Sequence, residues 1–226
     1  MIQKGERVRA EQEILTSLGE RVRTLGFNPK AFGQSFYYTF AAGKWGFHVS
    51  FIPHRDDFEL TADVAVRIDE IEDLVNKYDT RRTPAEKRNS MTIGGELGNI
   101  SQGRPRRWKI SDFSDVPIVC GEIMSFFETI GVPFLRAHSE IADVHRVLVS
   151  SDQRDIVLAP ISGPRYMRAI ASAHVLRGTV DLADLIRRSE AKLVQAQDPY
   201  LEDFRALCVA VIAGESARPN LQTQRN

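Results

Sequence analysis

The chain has 226 residues, 42% of them hydrophobic and 27% charged, a balance that gives a folded protein room for a substantial core without disulfide or metal support. Its 30 basic and 30 acidic residues cancel, which excludes the broad positive field of a general nucleic-acid coat or a polybasic membrane protein and leaves only local patches. The only cysteines, Cys120 and Cys208, lie far apart in apolar helical patterns. With no CxxC pair and no histidine cluster, they are expected as buried, reduced thiols rather than a zinc site.

The start of the chain is charged rather than apolar, and no stretch approaches the roughly 18 apolar residues of a membrane span. A cytoplasmic protein with no membrane partner is therefore expected. From Glu6 to Leu25, Val8, Leu15, Leu18, Val22 and Leu25 recur at helical steps and predict an amphipathic helix stopped by Gly26. Three extended segments follow, at Gln34 to Ala41, Lys44 to Pro53 and Phe58 to Ile68, joined by short turns that suit antiparallel neighbours.

Asp69 begins a short helix that fades near Tyr78, and the polar, proline-interrupted stretch Asp79 to Asn89 reads as an exposed, mobile loop. Ser90 to Ile93 returns as a strand, Gly94 and Gly95 read as a turn, and a last strand is expected around Trp108 to Ile110. Beyond Val116 the period is helical. A helix from Pro117 is expected to end at Gly131 and Pro133, and further helices cover Ser139 to Val149, Pro164 to Arg177, Val180 to Gln195 and Leu201 to Ala213.

This order predicts an α+β fold: an N-terminal helix on an antiparallel sheet of four to five strands, followed by a helical region. The expected division is 1–116 for helix and sheet, 117–214 for a helical region packed on the sheet as one compact unit, and 215–226 for a flexible tail.

A two-residue loop at Ala42-Gly43 would set Tyr37 opposite His48, and a turn centred on Arg55-Asp56 would set His48 opposite Asp63. The expected row is therefore Tyr37, His48, Asp63. Alternation sends Phe36, Phe47, Val49, Phe58, Leu60 and Val64 to a core face, and Ser35, Tyr37, Thr39, His48, Ser50, Thr61, Asp63 and Arg67 to a polar one. Such a face is ordinarily solvated, but its aromatic and polar groups also suit a protein partner. An Asp beside a His also admits acid-base chemistry, so an enzyme around His48 and Asp63 is a further alternative.

Gly94, Gly95 and Gly98 match neither GxxxxGK[ST] nor GxGxxG. Arg104, Arg106, Arg107 and Lys109 surround Trp108, while Arg81, Arg82, Lys87 and Arg88 crowd the earlier loop. If the two segments meet, they form a basic patch in which Trp108 stacks on a base or on an arginine. If Trp108 and Ile110 point inward instead, Arg107 and Lys109 are solvated charge. No HExxH or GxSxG setting is present, so no catalytic residue, metal or cofactor is assigned.

The leading helix, the Gly26-Phe27 junction, the aromatic sheet, the Thr92-Ile93-Gly94-Gly95 segment, Trp108 and the helical tail together resemble small uncharacterised bacterial α+β families, some of them immunity proteins for polymorphic toxins. The likeness covers roughly the first 135 residues and carries over no binding residue. It implies a non-enzymatic protein-binding factor of the immunity or regulatory kind; the alternative is a nucleic-acid-associated protein using the patch around Trp108.

Overall fold

The computed structural model describes residues 4–29, 33–177 and 181–216. Helix α1 (Lys4–Thr24) buries Ala10, Ile14, Leu18 and Val22, a stripe at steps of four. Val8 and Leu25, expected on that stripe, are exposed, because the i, i+4 series starting from Ala10 passes them by. Gly26 ends the helix at φ +87°, and the Phe27 N–H closes back on the Val22 carbonyl at 3.1 Å, a Schellman closure that needs the left-handed glycine.

The sheet runs β1 (Asn28–Pro29), β2 (Ser35–Phe40), β3 (Gly43–Pro53) and β4 (Phe58–Ile68), all antiparallel neighbours. Two short strands share the far edge of β4 end to end: β5 (Ile93–Glu96) pairs with Asp63 to Val66, and β6 (Trp108–Ile110) with Phe58 to Leu60. The protein is thus α+β, with a leading helix, an antiparallel sheet and helices after it.

The β2–β3 hairpin turns at Ala41-Ala42, with Phe40 opposite Gly43. This corrects the expected loop. Gly43 belongs to the strand because its Cα lies against β4: a Cβ there would sit 1.9 Å from the Arg67 carbonyl oxygen. The register consequently moves by two, so that His48 faces Ser35 and Tyr37 faces Gly46. A shift of two preserves which side chains share a face.

Helices α2 (Asp69–Tyr78), α3 (Pro84–Asn89) and α4 (Leu97–Gln102) are interleaved with the late strands. The expected loop at Asp79 to Asn89 contains α3, closed by a reciprocal Thr83–Glu86 capping box. It is tied down by Thr80 Oγ1, which donates to Asp203 at 2.8 Å, and by Arg81, which donates to the Pro199 carbonyl. The expected turn at Gly94-Gly95 is strand β5. Its glycine answers to packing, since a Cβ on Gly94 would meet the Ala65 Cβ at 2.6 Å.

Helix α5 (Asp115–Phe126) passes through a π turn (Phe127–Gly131) into α6 (Val132–Ala137) rather than stopping at Gly131. A side chain at Gly131 would press on Phe127, Val64 and Leu97, so this glycine allows close approach to β4. The 23-residue run Asp115–Ala137 is, among the described residues, the one helix long and apolar enough to cross a membrane, which corrects the expectation that no stretch comes near that length. Half of its most apolar window is buried against the rest of the protein.

That run and α1 cover the apolar face of the sheet, where Phe127 stands 4.3 Å from the Phe47 ring and 5.3 Å from Phe27, centre to centre. The remaining helices are α7 (Ile141–Val149), α8 (Gln153–Ile156), α9 (Ser162–Leu176), α10 (Leu182–Gln195) and α11 (Leu201–Ser216). Helix α9 is the hub, touching α2, α7, α10 and α11. Of the expected tail, Glu215 and Ser216 continue α11, and residues 217–226 lie outside the described residues.

Candidate functional site

The corrected register places Ser35, His48, Asp63 and Glu96 in one row across β2, β3, β4 and β5. All four point away from the apolar core because they occupy the alternate positions to Phe36, Phe47 and Val64. Ser35 Oγ is 2.8 Å from His48 Nδ1, and Ser50 Oγ is 3.1 Å from His48 Nε2. Asp63 accepts a long hydrogen bond of 3.5 Å from Thr61 Oγ1.

This arrangement opposes a catalytic relay. A histidine that activates a hydroxyl needs one ring nitrogen on the nucleophile and the other oriented by a carboxylate. Here both nitrogens meet serine hydroxyls. Asp63 faces His48 in the register, and its hydrogen bond goes to its own strand. Burial pushes the Asp63 carboxyl above its ordinary value, His48 opposes that shift, Glu96 reinforces it, and Thr61 and Arg107 pull it down.

Glu96 is committed elsewhere. Its carboxylate accepts from the Gly98, Asn99 and Arg106 N–H groups at 3.1 to 3.2 Å, capping α4 and pinning the returning chain beside it. Gly98 is required there, because a Cβ would lie 2.6 Å from the Arg106 nitrogen.

The adjacent row holds Tyr37, Gly46, Ala65 and Gly94, a low floor on which the Tyr37 ring lies beside Gly46, with the Lys44 ammonium 5.0 Å from the ring centre. Tyr37 is therefore on the face predicted for it, one row away from His48. Arg67 shares the face but is buried, donating to Asp69 at 2.6 Å, Asp73 at 2.9 Å and Ser90 Oγ at 2.8 Å. It anchors the end of β4 to α2 and leaves no fork for a ligand.

The two basic segments meet β4 along its length, Arg82 lining a cleft with Ala65 and Gly94 and Arg106 donating its N–H to Glu96. Arg104 to Lys109 adjoins the Phe58 end of β4, whereas Lys87 reaches its Arg67 end. At ~3.3 Å per residue Phe58 and Arg67 are roughly 30 Å apart. Trp108 is 3% exposed, packs edge-on to Phe126 and has the Arg106 guanidinium 5.2 Å over its ring, so its stacking partner is an arginine and it is withdrawn as a base contact. Arg106 lies over Phe126 and pairs with Glu122 at 3.0 Å. Arg104 and Arg107 are exposed, and Arg107 reaches the polar face closely enough to act on Asp63.

Ser35 and Ser50, the partners of His48, were not singled out as such by the sequence. Two-residue alternation puts both on the face of His48, but the pairing of Ser35 with His48 follows only when Gly43 is counted as strand. Among the described residues, no three His, Cys, Asp or Glu side chains gather as a metal-binding group. Comparison with protein-family models, with curated proteins and with solved structures yields no match.

Proposed function

We propose that this is a non-catalytic, cytoplasmic protein-binding factor of the immunity or regulatory kind, which meets its partner through the polar face of the sheet. The observation that carries this reading is the double serine engagement of His48. It holds the imidazole rigid in mid-sheet while denying it the carboxylate a catalytic base needs. Fixed polar groups of low entropy beside Tyr37 and Arg107 favour recognition. Burial of Trp108 weighs against base stacking in the nucleic-acid alternative, whose Arg104 and Arg107 stay exposed.

The test is a photo-crosslinking amino acid placed at Ser50, on the face, and in a separate variant at Ala191, exposed on α10. Irradiation in the native host is expected to give a discrete protein adduct from position 50 and none from 191. A nuclease-sensitive adduct at 50 would transfer the reading to nucleic acid. Equal adducts at both positions would remove the face as the binding surface.

A further inference from the structure

Beside the low floor of Ala65 and Gly94, one cleft collects two guanidiniums. It measures about 200 Å³ and lies between β5 and the segment leading into α9, with Met91 and Gly94 on one side, Leu158 and Ile161 on another, and Arg82 and Arg168 in the wall. The two sides are fastened together by the Gly94 N–H, which donates to the Leu158 carbonyl at 2.9 Å.

Each arginine has a carboxylate partner behind it and keeps guanidinium nitrogens beyond that pair. Arg168, 8% exposed, spends Nε and Nη2 on Glu72 at 2.6 and 3.3 Å. Arg82, 20% exposed, has Nε 3.4 Å from Asp79 Oδ2, and its Nη1 is buried with no hydrogen-bond partner. A charged donor left unpaired inside a protein is costly, and Asp79 Oδ2, the oxygen nearest Arg82 Nε, is likewise buried without a hydrogen bond, so this ion pair is incompletely satisfied beside the cleft. Glu72 and Asp79 are themselves buried and neither lines the cleft, so the charged side chains that do are both cationic.

The Arg82 backbone is already fixed. Asp79 Oδ1 accepts from the Arg81 and Arg82 N–H groups at 3.0 and 3.1 Å, and Thr80 is held by Asp203. Ile161, in the cleft wall, is also the N-cap of the 15-residue α9 and supplies no capping oxygen. The positive end of that helix therefore adds to the field of the two arginines.

We propose that this cleft binds a phosphate group. Guanidinium forks match its tetrahedral oxygens, and two positive side chains suit a dianion better than a single carboxylate. The volume admits a phosphate with a short part of its carrier. The cleft shares Ala65 and Gly94 with the row beside His48 but uses none of Ser35, His48 and Asp63, and phosphate binding and the adduct at position 50 are read by separate experiments.

The experiment is calorimetric titration of inorganic phosphate, and separately of acetate, into the full-length protein at neutral pH and constant ionic strength. Saturable phosphate binding is expected, weakened roughly tenfold or more by Arg82→Gln, a loss of about 1.4 kcal/mol. Ile161→Glu places a carboxylate at the mouth from a residue that is 59% exposed. It should weaken binding similarly while leaving the thermal melt in place, which keeps the test decisive if Arg82→Gln fails to fold. Absence of saturable phosphate binding, equal binding by Ile161→Glu, or acetate bound as tightly as phosphate would overturn the proposal.

Discussion

Arg168 reaches 96 positions back along the chain to Glu72, with Nε 2.6 Å from Oε1 and both side chains buried. This pair fastens the hub helix α9 to α2 at the end of the sheet. Burial by itself would push the Glu72 carboxyl up, but the charge and hydrogen bond of Arg168, with Ser90 and Arg67, hold it below its ordinary 4.5. A carboxylate lowered on folding stabilises the protein above the unfolded value, and that stability disappears as pH falls through the lower folded value.

Glu72→Gln is therefore expected to cost about 3–5 kcal/mol near neutrality, because it leaves Arg168 buried without its counter-charge. The double change Glu72→Leu with Arg168→Met should recover much of this. Urea unfolding curves collected from neutral pH down through the carboxylate range check both statements, and the single variant should lose the acid-side slope.

Arg165 is a buried cation satisfied without a carboxylate. Its guanidinium donates to the carbonyls of Val147, Leu148, Ser150 and Asp155 at 2.7 to 2.9 Å, tying the C-terminal end of α7 to α8, and burial lowers its pKa. Four carbonyls around a planar fork cannot be served by an ammonium. Arg165→Lys should cost about 3 kcal/mol, measured by chemical denaturation, and full stability in that variant would contradict the assignment.

Two glycines should respond in opposite directions to alanine. A Cβ on Gly94 collides with Ala65 and the Val64 carbonyl, so Gly94→Ala should lose about 1–3 kcal/mol. Gly121, inside α5 with nothing within 4 Å of an added Cβ, should gain about 0.5–1 kcal/mol. Paired melting curves of the two variants give the comparison.

Asp63 separates recognition from stability. Because burial raises its pKa above 3.8, its contribution is fully present below that value and is lost as pH rises through the folded value. Asp63→Asn should thus be no less stable than the native protein at neutral pH, with a flatter pH profile, while losing the adduct formed at position 50. A large fall in melting temperature at neutral pH would count against this account.

Neither thiol should react in the folded protein. Burial, assisted by Glu190, pushes Cys208 up to about 12, and burial raises Cys120 against the pull of Ser17 and Arg21. Titration with a chromogenic disulfide should read no fast thiol in buffer and both in denaturant. A fast-reacting native thiol would contradict that placement.

The alternation of Phe36, Phe47, Val49, Phe58, Leu60 and Val64 with polar neighbours determined the strands and their two faces, and the short turns between them determined that they run antiparallel. Period 2 is a local property, and it survives a register shift of two. Likewise Pro53, Phe58 and the turn between them determined that His48 and Asp63 pair.

What only the tertiary structure decided depends on approach between distant segments. Gly43 joins the strand because β4 leaves no room for a side chain, and that contact moves Tyr37 away from His48 and brings Ser35 in. Gly94 and Gly131 read locally as breaks, yet both mark places where one backbone crosses close to β4. Whether Trp108 faced solvent or core, and whether Arg82 and Arg168 met across one cleft, rested on the packing of residues far apart in sequence. Local periodicity specifies faces; long-range contact sets the register and decides which charges meet.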